Sequence, residues 1–116
     1  MDMLILGETL AHAAAGSTRY EGFWMPAEGN NGVAAVEVYA VANANSWTVK
    51  LETKTSNEND TGAGSIGSQA IDSTTPKVFK FDVNNAQDLV RYVLECSNES
   101  ADFIHFQFCQ PLWSPN

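Results

Sequence analysis

The sequence predicts an all-β chain, an antiparallel β-sandwich with jelly-roll or Greek-key connections and one long polar loop. Three observations carry that expectation. Trp47 to Thr55 alternates strictly, with Trp47, Val49, Leu51 and Thr53 on one side and Thr48, Lys50, Glu52 and Lys54 on the other. Phe103 to Cys109 sets Ile104, Phe106 and Phe108 on one face of a second run. Clusters rich in Asn, Ser, Gly and Asp punctuate such runs at short intervals, and no convincing long helix lies between them. At 116 residues the chain has the size of one domain, taken here as 1–116.

The remaining elements follow in chain order. Residues 1–17 read as an N-terminal arm or first strand, and the alanine-rich Thr9 to Ala15 could start a helix that Gly16 and Ser17 would end. Thr18 to Met25 reads as a strand and Pro26 to Gly32 as a loop. Val33 to Ala42 is rich in β-branched residues, with Val36, Val38 and Ala40 on one face and Glu37, Tyr39 and Val41 on the other. The polar turn Asn43-Ala44-Asn45-Ser46 then predicts an antiparallel hairpin with the strand that begins at Trp47.

Residues 56–76 form a long polar loop, with Ile66 and Ile71 as candidate anchors, by way of a short strand. Lys77 to Val83 points Phe79, Phe81 and Val83 inward. Leu89 to Cys96 fits helix or strand by length, and its Val and Tyr content favours strand. After a turn at Ser97 to Ala101 comes the aromatic run, then an extended tail at 110–116 whose two prolines keep it out of any ladder, either folded onto its own sandwich or docked as an arm on an adjacent subunit.

Charge narrows the function classes. A formal charge of -8, with six basic residues against fourteen acidic ones, excludes unaided binding to nucleic-acid phosphates or anionic lipid. No apolar run approaches the roughly 20 residues of a transmembrane helix. The start lacks the basic region of a signal peptide, so folding in a reducing cytoplasm is the expectation. Cys96 and Cys109 should then be free, mostly buried thiols, too far apart for a bridge if their segments form a hairpin.

No constellation for catalysis or for a cofactor stands out. His12 and His105 are the only candidate bases, and the acids Glu28, Glu58, Asp60, Asp72 and Asp102 are scattered singly through turns. No Cys-x-x-Cys or His-x-x-x-His pair suggests a metal, and the Asn57 to Ser68 stretch lacks the closing Glu of a calcium loop. Trp47 belongs to the core by its place in the alternation. Trp24, Arg91, His105 and Trp113 are the candidate interface residues: two aromatics beside irregular segments, a charge in an apolar strand and an outward histidine. A carbohydrate-binding module with exposed aromatics is the alternative.

The runs Val36-Glu37-Val38-Tyr39, Trp47 to Thr55, Leu89-Val90-Arg91-Tyr92 and Gln110-Pro111-Leu112-Trp113 together resemble the small β-sandwich structural proteins of phage virions, among them capsid decoration and auxiliary head or tail proteins. The resemblance covers about Tyr20 to Trp113 as a style of sequence. It implies a non-enzymatic virion protein made in the host cytoplasm. Such a protein binds itself as a homo-oligomer, a major capsid protein lattice, or both, with glycan as partner under the alternative. Arg91 would be snorkelling at an edge or paired across an interface, and the termini would be arms that reach neighbours.

Overall fold

The computed structural model describes the backbone of residues 3–4, 8–12, 18–96 and 103–114, and side chains within 19–96 and 103–114. Ten strands follow in order: β1 (Met3–Leu4), β2 (Glu8–His12), β3 (Thr18–Gly22), β4 (Met25–Pro26), β5 (Gly32–Val41), β6 (Trp47–Lys54), β7 (Gly64–Ala70), β8 (Lys77–Val83), β9 (Leu89–Cys96) and β10 (Phe103–Trp113). Sheet A runs β1-β3-β9-β6-β7, with β4 also on β9, and sheet B runs β2-β10-β5-β8. With β1 and β4 set aside, β3-β9-β6-β7 facing β2-β10-β5-β8 is the double Greek key of a jelly roll. No helix among the described residues is long and apolar enough to cross a membrane.

Period-two alternation builds the core. Sheet B contributes Val36, Val38, Phe79, Phe81, Ile104, Phe106 and Phe108, and sheet A contributes Trp47, Val49, Leu51, Val90, Tyr92, Leu94 and Cys96, all buried. Each such side chain stabilises the fold by about 1.5–3 kcal/mol when fully buried. Tyr92 stacks on Phe108 with ring centroids 4.5 Å apart. Its hydroxyl then crosses to sheet B, donating to the carbonyl of Cys109 at 2.6 Å and accepting from the backbone N–H of Ala35 at 3.1 Å. Ala35 and Cys109 are register partners, and the β10 ladder slips between Cys109 and Leu112. One phenol thus satisfies two backbone groups beside a bulge.

Several expectations are corrected. The strands flanking Asn43 to Ser46 form no hairpin: β5 pairs with β10 and β8, whereas β6 pairs with β9 and β7. The short loop, with Asn45 at φ 67°, carries the chain from one sheet to the other. Cys96 and Cys109 are free, as expected, but no hairpin offsets them: Cys96 points into the core from β9, whereas Cys109 lines a groove on the outer face of the other sheet. The turn expected at Ser97 to Ala101 lies outside the described residues. A register shift at Tyr39, between the pairs His105–Ala40 and Phe106–Val38, turns Val41 rather than Ala40 inward.

Residues 9–12 of the stretch read as a possible helix belong to β2, which pairs with β10; the rest of that stretch lies outside the described residues. The polar stretch 56–76 holds a 3₁₀ turn (Asp60–Gly62) and β7, which pairs with β6 while Ile71 is buried. β7 is poor in apolar residues because it is an edge strand with little core to fill. It turns the corner between sheets at Gly67, where a Cβ would lie 2.6 Å from the Asp82 carbonyl. The described part of the tail, through Ser114, folds onto its own sandwich, the first of its two expected outcomes, but it does so inside a ladder rather than outside one. Leu112 and Trp113 pair with Val33 and Gly32, and Pro111 sits in the bulge where its missing N–H breaks no ladder bond.

Candidate functional site

Two outer faces bear the residues that chemistry could use. On sheet A, β9 turns Arg91, Val93 and Glu95 outward, β6 turns Lys50, Glu52 and Lys54, and β3 turns Arg19 and Glu21. The register sets Glu52 opposite Arg91 and Glu21 opposite Val93. The chain between β3 and β4 leaves the ladder, since Glu21 pairs with Val93 and Met25 with Val90, and in that excursion Trp24 swings over Arg91. The Arg91 guanidinium carbon lies 4.5 Å from the Trp24 ring centroid, and Lys54 Nζ lies 4.8 Å from it.

Arg91 is only 6% exposed in its side chain, and its guanidinium pairs with Glu52 at 3.0 Å, Glu21 at 3.1 Å and Asp60 at 3.5 Å. Arg19 bridges Glu21, Glu52 and Glu95 at 2.7–2.9 Å, and Lys50 holds the other oxygen of Glu95 at 2.6 Å. Asp60 accepts from Lys54 at 2.8 Å and from Trp24 Nε1 at 3.0 Å, which closes the 3₁₀ turn over the cluster. The expectation that Arg91 snorkels at an edge or pairs across an interface is thereby overturned. It lies on a strand bonded on both sides and finds its partners within the same chain.

The pKa directions follow from this wiring. Burial lowers the Arg19 value, but hydrogen bonds to Glu52, Glu21 and Glu95 outweigh it and raise the pKa. Burial raises Glu95, but hydrogen bonds from Lys50 and Arg19 dominate and leave it below the ordinary value. The Asp60 carboxyl is lowered, chiefly by its bond from Lys54. The cluster holds Arg19, Lys50, Lys54 and Arg91 against Glu21, Glu52, Asp60 and Glu95, so it is neutral. The net -8 of the chain is carried elsewhere. A cleft of about 300 Å³ opens beside Arg19, Glu52, Asp60 and Arg91. Its charges are already matched, which leaves little to attract an ionic ligand.

The outer face of sheet B differs. Tyr39 hydroxyl bridges Glu37 at 3.1 Å and Gln107 at 2.8 Å, and its ring lies 5.0 Å from that of His105. Beyond this polar end the face becomes apolar. Val33, Ala35, Val78, Lys80, Cys109, Gln110 and Leu112 line a groove of about 410 Å³. Leu112 is 73% exposed and Val78 42%, two of the three large exposed hydrophobics among the described residues; the third is Phe23. Burial, then the charge of Glu37, pushes the Cys109 thiol up, which makes it a poor nucleophile at neutral pH.

Of the four candidate interface residues, the structure joins only Trp24 and Arg91. His105 lies on the other sheet, and Trp113 packs on the core beside Gly29 and Gly32 of its own chain. Sequence reasoning missed Glu21, Glu52, Leu112 and Val78. The charges Lys50, Glu52 and Lys54 alternating along one face of β6 were the available signal for a cross-strand partner such as Arg91. Among the described residues no group of three or more His, Cys, Asp or Glu is placed to hold a metal ion. No protein-family model matches the chain, and no curated protein matches it.

Proposed function

We propose that this chain is a non-enzymatic structural protein of a phage virion, a capsid decoration or auxiliary assembly protein that binds neighbouring subunits. The observation that supports this most is the apolar groove on the outer face of sheet B, centred on Leu112. Exposed apolar surface that is contiguous with a groove marks interaction sites, and a subunit would bury Leu112 and Val78 against its neighbour. The jelly roll adds weight by analogy of fold alone, since capsid and lectin domains share it. Arg91, Glu21 and Glu52 are tied into ion pairs with one another, and the His105 ring lies against Tyr39.

The carbohydrate-binding alternative has less support. Trp47 is buried, Trp113 packs on the core, and the Trp24 ring already carries two cations where a sugar would stack. The test is to purify phage particles from the host that carries the gene, by density gradient, and to quantify this chain against the major shell protein by mass spectrometry. The chain should be present in many copies per particle. Its absence from intact particles would refute the virion reading.

A further inference from the structure

The groove on sheet B has features that select its occupant. Lys80 and Asp82 lie two residues apart on the outer face of β8, at the groove's edge. Their register partners are Ala35 and Val33 in its floor. Both are exposed, and among the described residues neither has an ion-pair or side-chain hydrogen-bond partner, in contrast to the four Lys and Arg outside β8. A cation and an anion so placed complement a second copy of the same pair turned by a two-fold axis, because an isologous contact sets residue i on j and j on i. Leu112 is a knob on the same face as the groove, so shape follows the same symmetry.

We propose that two copies of this chain pack through the outer faces of their B sheets, Leu112 of each seated in the other's groove and Lys80 of each meeting the partner's Asp82. The polar end around Tyr39, Glu37 and Gln107 forms the wet rim. This dimer deepens the assembly reading and rests on it: the two-fold pair is the unit that a shell would accept.

Light scattering over a concentration series tests it with the full chain. Wild type should rise from 12.6 kDa towards twice that mass. Leu112→Asp should remain monomeric with unchanged circular dichroism, since the residue is exposed. Lys80→Asp and Asp82→Lys should each weaken self-association at least about tenfold, because each sets like charges together at both contacts. An equimolar mixture of the two should restore it, because both contacts then join opposite charges. Failure of the mixture to recover, or a wild type that stays at the monomer mass, would overturn the dimer. The dimer can fail while the chain is still found in particles, so the two readings fall separately.

Discussion

Arg91→Ala is the perturbation that most exposes how sheet A is held. The side chain is 6% exposed and Glu52 beneath it 10%, so the ion pair lies in a low-dielectric setting. Breaking a buried pair typically costs about 3–5 kcal/mol, because the partner charge is left uncompensated. Glu52 and Glu21 both keep Arg19, at 2.9 and 2.8 Å, which places the cost near the low end, about 3 kcal/mol. With about 2.1 cal/mol/K of unfolding entropy per residue over 116 residues, that loss lowers Tm by about 12 °C. Urea unfolding followed by tryptophan fluorescence, with thermal circular dichroism beside it, reads both numbers. A companion cycle with Trp24→Ala should show coupling, since Trp24 lies over the same guanidinium. A loss below about 1 kcal/mol would refute the reasoning, because it would equate this pair with an exposed surface bridge.

Three further outcomes follow from the same geometry. Tyr92→Phe strands the Ala35 N–H and the Cys109 carbonyl and should cost about 1–3 kcal/mol in urea unfolding, with faster hydrogen exchange at Ala35. Gly67→Ala drives a Cβ into the Asp82 carbonyl and should destabilise by about 1–3 kcal/mol, read as a lowered Tm. Glu95 has a folded pKa below its unfolded one, so its contribution is present at neutral pH. It is lost as pH falls from the ordinary carboxylate range, about 4, through the lowered value. Glu95→Gln should therefore flatten the acid limb of the stability curve, and an unchanged limb would contradict the assignment.

Much of the fold was legible because alternation is a local signal. The inward sets of β6, β8 and β10 read directly from sequence, as did the burial of Trp47. Connections were not legible. A short polar loop after β5 suits a hairpin and a crossing between sheets alike, and only the pairing of β10 between β2 and β5 decides which. β7 hid in a Gly- and Ser-rich stretch because an edge strand against β6 needs few apolar residues. Pro111 argued for a tail outside any ladder, yet a bulge tolerates a residue without an N–H. The charge cluster escaped for a related reason. Arg91 meets Glu52 and Glu21 from strands 39 and 70 positions away, a proximity that no spacing along the chain reveals.

The claim that the outer face of sheet B is an assembly surface can be tested through the protein's own thiols. Cys109 is half-buried in the groove wall, while Cys96 is buried in the core and should stay silent. The measurement is the rate at which Cys109 reacts with a small thiol reagent in the folded protein, at rising protein concentration and fixed reagent excess. The rate per thiol should fall as the groove is covered, in step with the mass from light scattering, and Leu112→Asp should abolish the fall. A rate that holds constant while the protein associates would place the contact on another face and contradict the account.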